Sequence, residues 1–422
     1  MDVPPRRSVT MSEPSLRCRG CGAALGSPFL DLGPTPLANS YLRAEDLAKS
    51  EPFYPLPVHV CPACFLVQVP VVESPAAIFG EYAYFSSYST SWLEHVKAYA
   101  ARMIERLGLG RDSLVIELAS NDGYLLQFFK QQHIPVLGVE PATNVARAAE
   151  AAGISTLVDF FGPPLADRLA GDERRADLLV ANNVLAHVPD LNGFVSGIKT
   201  VLKPQGLATL EFPHLLRLIE EHQFDTIYHE HFSYFALGVV RAVFARHGLA
   251  IVDVEELPTH GGSLRLHARH AERAAAPSAR VEELVAREEA AGLMRLERYA
   301  AFAEDVRETK RALLDFLIAE KRRKAVIVGY GAPAKGNTLL NYCGVRTDFL
   351  DYTVDRSPHK QGLYLPGTRI PIHAPDRLAK TKPDYVLILP WNLKDEIMQQ
   401  MSAVREWGGR FVVPVPHVQV YA

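Results

Sequence analysis

Four of the five cysteines fall in two tight pairs, Cys18 and Cys21 in "CRGC" and Cys61 and Cys64 in "CPAC", with 39 residues between the pairs. Each C-x-x-C is a turn that aims two thiolates at one point, and two such turns complete a tetrahedral S4 shell around zinc. Four protein ligands leave no open coordination position, so the zinc is structural: it replaces a hydrophobic core that about 50 residues cannot build. A disulfide pairing suits a reducing compartment poorly. His59 ranks below the thiolates as a ligand, and Cys343, alone in the sequence, reads as a small buried hydrophobe. The zinc ribbon is expected over residues 14–75.

The chain changes character after it. From Ser113 the order is "SLVIEL", "ASNDGY", "LLQFFKQQ", "IPVLGVE", "PATNVARAAEAAG", "DLLVANNVLAHV" and "GLATLEFP", strands alternating with helices. That pattern implies a doubly wound parallel sheet, which binds ligands at the carboxyl ends of its strands. The first strand finishes near Glu117, its turn carries Ala119, Asn121 and Gly123, and a helix opens at Tyr124. The next strand ends on Glu140, placed to accept hydrogen bonds from both hydroxyls of a ribose. Asn182 and Asn183 close a later strand. The positions where a dinucleotide fold has G-x-G-x-x-G read Ala119, Asn121 and Gly123, so no pyrophosphate cradle is evident. An acidic strand end with polar Asn121 and Asp122 suits a ligand bearing a charged amino acid and a sulfonium, which selects S-adenosylmethionine.

Residues 226–235, "TIYHEHFSYF", hold two histidines, two tyrosines and a glutamate. Making a carbon nucleophilic requires a base beside a carbonyl and a donor to the enolate oxygen. A histidine with an ordinary pKa near 6.5 is a neutral base at about pH 7, and tyrosine hydroxyls can donate. In strand geometry Tyr228 shares a face with Glu230; in a helical turn it aligns with His231. The adjacent His229, Glu230 and His231 lack the i, i+4 spacing of a helical zinc site. Downstream, "VIVGYGAPAKGNTLLNY" places Gly329, Gly331 and Ala334 in a relaxed dinucleotide fingerprint, with Asp355 ending the next strand. A diphosphate would also seek such a helix N-terminus, with Lys335 as cation. Between the two α/β units an Ala-, Glu- and Arg-rich stretch reads as two helices, from about Pro277 and running to about Lys321.

The order zinc ribbon, "EYAYFSSYSTSWLEH", "ELASNDGYLLQ", "GVEPATNVA", "ANNVLAHVPD", "YHEHFSYF" and "GYGAPAKGNTLLNY" resembles the deoxysugar C-methyltransferases, from about Cys18 to the C-terminus. The resemblance implies three domains: the zinc ribbon, a central Rossmann-like class I methyltransferase domain (76–275), and a helical linker with a C-terminal Rossmann-like domain (276–422) that helps bind a nucleotide-sugar. It implies S-adenosylmethionine-dependent C-methylation of a nucleotide-linked 4-keto-6-deoxysugar, with thymidine diphosphate the expected nucleotide and C-3 the expected carbon. His231 is then the base, with His229 its local competitor, Tyr228 the donor and Glu230 the orienter of the imidazole. His187 and Tyr82 match further active-site positions, and Tyr84, His229, Gly331, Lys335 and Asn337 are expected on the substrate. The rivals are methylation at C-5, an oxygen or nitrogen acceptor, a non-catalytic zinc-ribbon binding protein, and an NAD-dependent oxidoreductase using the C-terminal fingerprint. A net charge of -3 with 22% charged residues supports neither a nucleic-acid nor a membrane partner. The start "MDVPPRRSVTMSEPS" lacks a signal-peptide core, and a cytoplasmic monomer is expected.

Overall fold

The computed structural model describes residues 16–80, 86–88 and 90–422. Tyr82 and Tyr84 lie outside them. Both C-x-x-C turns close in the same way. The N–H of Gly22 donates to the Cys18 carbonyl at 2.8 Å and that of Phe65 to the Cys61 carbonyl at 2.9 Å. The residue after each pair has positive φ, 78° at Gly22 and 60° at Phe65. Behind these turns, β1 (Leu30–Thr35), β2 (Tyr54–Val60) and β3 (Val67–Gln68) pair antiparallel.

The central sheet comprises β4 (Val115–Leu118), β5 (Val136–Val139), β6 (Thr156–Leu157), β7 (Ala176–Asn182) and β8 (Leu202–Pro213), mutually parallel. β9 (Ser233–Tyr234) leaves this domain and pairs antiparallel with β3, Val67 against Tyr234, so the zinc unit's sheet is completed by the end of the "TIYHEHFSYF" stretch. β10 (Leu249–Leu257) and β11 (Ser263–His270) form a hairpin that returns to the central sheet, with β11 antiparallel to β8. The resulting order is β10-β11-β8-β7-β4-β5-β6. Chain direction across the sheet reverses between β4 and β7, and that switch point opens a crevice at their carboxyl ends. Four consecutive buried residues, "VIEL", make β4 a strand covered on both faces, as a parallel sheet demands.

Two helices follow, Ala279–Ala290 and Leu296–Arg322. The longer buries Tyr299, Phe302, Val306, Thr309, Leu313 and Leu317, a stripe at helical spacing. Tyr299 meets Phe29 of the zinc unit at 5.4 Å and Phe316 meets Tyr385 of the last domain at 5.2 Å, so this helix is a strut between domains. The C-terminal sheet, β12 (Ile327–Tyr330), β13 (Thr353–Val354), β14 (Ile372–His373), β15 (Tyr385–Ile388), β16 (Arg410–Val413) and β17 (Gln419–Tyr421), has order β14-β13-β12-β15-β16-β17 and is parallel except at β17. Among the described residues no helix is long and apolar enough to cross a membrane.

Candidate active site

The turn after β4 is built around backbone that most residues avoid: Ala119 has φ 50°, Asn121 49° and Gly123 78°. Gly123 is required twice over, because a Cβ there would also lie 2.8 Å from Ile154 Cγ1. Glu140 ties this turn to the next, its two oxygens accepting the N–H groups of Asn121 at 2.9 Å and Ala142 at 2.8 Å. Ser86 N donates to Asn121 Oδ1 at 3.0 Å and Ser87 N to Asp122 Oδ2 at 3.2 Å, which seats the segment before the long helix Thr90–Leu107 on the same turn.

Glu117 is fully enclosed, and burial pushes its carboxyl well above the usual range. Among the described residues, neither oxygen of Glu117, neither amide atom of Asn182, nor Asn183 Oδ1 has a hydrogen-bond partner. A buried unpaired polar group costs about 1–3 kcal/mol, so a row of them at the switch point is a demand for a polar ligand. The amino-acid part of S-adenosylmethionine, both donor and acceptor, fits this row.

The histidine-rich stretch folds as a turn, His231 N donating to the Tyr228 carbonyl at 2.9 Å. Tyr228 and His231 therefore align, and the Tyr228 hydroxyl donates to His231 Nε2 at 2.9 Å. His231 Nδ1 lies 3.0 Å from the Thr226 carbonyl. A carbonyl only accepts, so Nδ1 carries the proton and Nε2 the lone pair. The same reasoning applies to His187, whose Nδ1–H donates to the Glu230 carbonyl at 2.8 Å. The two rings stand 4.6 Å apart at 69°. Burial lowers His187 to about 4, and burial together with His187 holds His231 well below its ordinary value. Both imidazoles are neutral bases at neutral pH.

Two residues of this stretch face away from the site. The Glu230 carboxylate does not orient His231: Asn39 of the zinc unit donates its amide to both Glu230 oxygens, at 2.9 and 2.7 Å. Glu230 acts on the cluster through its backbone carbonyl instead, and His231 is oriented by Thr226. His229 Nε2–H donates to the Pro55 carbonyl at 3.2 Å and its ring meets Tyr54 edge-on at 5.9 Å, so it packs on the zinc unit and is turned away from the substrate side. A tight turn projects neighbouring side chains in different directions, and here those directions belong to different domains.

The C-terminal fingerprint is also consumed internally. Asp355 accepts the N–H of Ala332 at 2.7 Å and of Ser357 at 2.8 Å, the arrangement that Glu140 has in the central domain. The Tyr41 hydroxyl donates to the Ala332 carbonyl at 2.5 Å, and the Asn337 amide donates to the Ala38 carbonyl at 2.6 Å. Asn337 is buried, with its Oδ1 unpaired among the described residues, and a Cβ at Gly331 would lie 2.5 Å from Pro390. Lys335 is different. Its ammonium donates to Asn392 at 2.9 Å, lies 4.4 Å from the Trp391 ring centre, and acts electrostatically on His231. Trp391 in turn donates to the enclosed carboxylate of Asp225 at 2.7 Å, which burial raises to about 6. Sequence reasoning overlooked Asp225, Trp391 and His260. The last sits beside Asn183, 3.2 Å from its amide, and its only sequence signal is a histidine before two glycines at a hairpin tip.

The four cysteines converge with all ligand atoms within 4.8 Å, and Cys18–Cys64 and Cys21–Cys61 sulfurs 3.5 Å apart. A tetrahedral shell at about 2.3 Å needs sulfurs roughly 3.8 Å apart, so the set fits zinc. His59 is not among the converging ligands, and its Nδ1 bonds the Gly26 carbonyl at 2.9 Å.

Residues 18–79 match a family described as a zinc binding domain, 92–254 a methyltransferase domain and 258–416 the C-methyltransferase C-terminal domain. The C-methyltransferase NovU of Streptomyces niveus is 38% identical over 406 residues, 96% of this chain and 96% of that protein. The chain belongs to the S-adenosylmethionine-dependent C-methyltransferases. Among solved structures, magnesium protoporphyrin IX methyltransferase of Synechocystis with bound S-adenosylmethionine is 16% identical, covering 42% of this chain and 78% of that one at a TM-score of 0.32. The PH0226 protein of Pyrococcus horikoshii is 15% identical, covering 46% and 97% at 0.36. The methyltransferase thus takes its methyl group from S-adenosylmethionine and carries a structural zinc on its four cysteines.

Proposed function

We propose that the methyltransferase acts on a nucleotide-linked 4-keto-6-deoxysugar, with thymidine diphosphate the nucleotide, and methylates C-3. The observation that carries this reading is the enclosed pair of neutral imidazoles, His231 and His187, one of them bonded to the Tyr228 hydroxyl, near the row of unsatisfied groups from Glu117 to Asn183. An oxygen acceptor would use a base but no donor to an enolate oxygen, and the family is one of C-methyltransferases.

When bound, S-adenosylmethionine supplies an electrophilic methyl group. His231 Nε2 has the lone pair that receives the proton from the carbon beside the 4-keto group. Because Nδ1–H is held by Thr226, the imidazolium that forms is stabilised without changing tautomer. Tyr228, released from Nε2, donates to the oxygen on which charge develops, and His187 keeps its imidazole within contact of His231. Lys335 supplies the cation for the diphosphate or the sugar, its charge held over Trp391. The NAD-dependent alternative loses support, since the chain belongs to the C-methyltransferases.

The test is incubation in D2O with a thymidine-diphosphate 4-keto-6-deoxyhexose, with and without S-adenosylmethionine, comparing wild type and His231→Ala by NMR and mass. Deuterium entering at C-3 without cofactor, methylation there with it, and loss of both in the variant are expected. Methylation without exchange that survives the substitution would sink the enolate reading, and label at C-5 would move the site of transfer.

A further inference from the structure

The tip of the β10–β11 hairpin, "PTHGG", carries a histidine that neither packing nor the zinc unit uses. His260 is exposed and sits at φ 56°, ψ 20°, a left-handed conformation that histidine adopts more readily than most residues. The surroundings here are specific. Gln223 Nε2 donates to the Gly261 carbonyl at 2.7 Å, His214 N to the Gly262 carbonyl at 3.0 Å, and Ser263 Oγ to the Thr259 carbonyl at 2.9 Å. Gly261, at φ 90°, lies so close to Trp391 that a Cβ would stand 2.6 Å from the ring. The hairpin tip is thus clamped between the catalytic and C-terminal domains.

The clamp sets the imidazole beside the end of β7. Asn183, itself at φ 56° where β7 ends, donates its amide to His260 Nε2 at 3.2 Å. Trp92 flanks the ring at 5.6 Å. His260 lies near enough to His231 and Lys335 for their charges to act on one another. We propose that His260 is a further catalytic residue, donating a hydrogen bond to the substrate carbonyl oxygen as that oxygen becomes an enolate. This rests on the enolate reading of the preceding section.

With Nε2 accepting from Asn183, the neutral ring keeps its proton on Nδ1, which is then the donor. The protein packed around the hairpin tip and the nearby Lys335 hold His260 below its ordinary value, so the neutral ring donates without protonating the oxygen outright. In the first step a C–H bond breaks, its proton goes to His231, and the electron pair moves toward the carbonyl oxygen. The Nδ1–H bond to that oxygen tightens with its growing charge. In the second, the pair returns to form the new C–C bond as the C–S bond to the methyl donor breaks. His260 begins and ends with the same proton.

Because the donor acts on charge absent from the ground state, its loss should lower kcat far more than it raises KM. The left-handed site suggests two variants. His260→Gly removes the imidazole without backbone strain, and His260→Asn keeps both the conformation and an N–H donor. Deuterium wash-in without cofactor and steady-state methylation are measured for both, with zinc content and S-adenosylmethionine affinity by calorimetry as checks of fold. The expected result is wash-in and kcat reduced about 10²–10³-fold in His260→Gly, with KM for the sugar within about threefold, and partial recovery in His260→Asn. Wash-in within about twofold of wild type in a His260→Gly variant that keeps its zinc and binds cofactor, or a rise in KM with kcat intact, overturns the role of His260 alone. If wild type exchanges no deuterium with the 4-keto sugar, the enolate reading falls and this inference with it. Should His260→Gly fail to bind cofactor, equality of His260→Asn with wild type supports a donor and a loss as large as for a fold defect with normal zinc and cofactor binding refutes it.

Discussion

Glu230 is 3% exposed; among the described residues it has no cation against it, Asn39 donates to it, and burial raises it from 4.5 to about 7. The folded state therefore holds this proton more tightly than the unfolded chain. The resulting stability is present in full below about pH 4.5 and is lost as pH rises through about 7, a change worth ~3 kcal/mol. Glu230→Gln removes the charge but not the shape, and the Asn39 amide can turn to pair with it. The variant's stability relative to wild type should therefore grow by ~2–3 kcal/mol between pH 5 and pH 8.5, read from urea unfolding at each pH. Its kcat should fall less than about tenfold, since the Glu230 carbonyl, not its carboxylate, holds His187, whereas losing a general base costs about 10²–10⁴. An advantage that does not change with pH would refute the buried-carboxylate account. Wild type gaining on the variant as pH rises would show that the carboxylate is held ionised by a partner.

Tyr228→Phe frees His231 Nε2 of its donor, and deuterium wash-in should fall about 10²-fold while zinc content and cofactor binding stay unchanged, because the phenol's bond is to the base itself. Stripping zinc with a chelator should speed amide hydrogen exchange at residues 226–235 as well as around Cys18–Cys64, since β3 holds β9 and Arg19 of the first cysteine turn donates to the carbonyls of Phe232 and Val69; protection at 226–235 that outlasts zinc loss would break that coupling. Gly261→Ala puts a Cβ 2.6 Å from Trp391 at φ 90°, and should lower the melting temperature through about 1–3 kcal/mol of local strain, together with methylation. An unchanged melting temperature would mean the hairpin tip moves away freely.

What the sequence makes legible follows the range over which each feature is determined. The zinc site needs only two four-residue turns, each closed by its own backbone bond, so spacing alone announces it. The strand ends at Glu117 and Asn182 are visible because a fully buried parallel strand is an unbroken apolar run and the polar residue marks its edge. The direction in which Glu230 and His229 point is fixed instead by Asn39 and Pro55, nearly 200 positions earlier in the chain, and no local pattern carries that. The contacts of the C-terminal glycine-rich turn are hidden for the same reason, since Ala38 and Tyr41 of the zinc unit bond at that turn.

The density of proton-handling groups in "TIYHEHFSYF" then has a different explanation from abundance of catalysts. Tyr228 and His231 face the site, while His229 and Glu230 grip the zinc unit and Tyr234 takes the N–H of Tyr228 on its hydroxyl at 3.3 Å. A general base must be held to within a fraction of an ångström, and a turn between two domains can be held so only if both domains bond it. The groups that look redundant are the ones that fix the position of the two that act, and it is the zinc, by ordering a unit too small to fold alone, that gives them something rigid to hold.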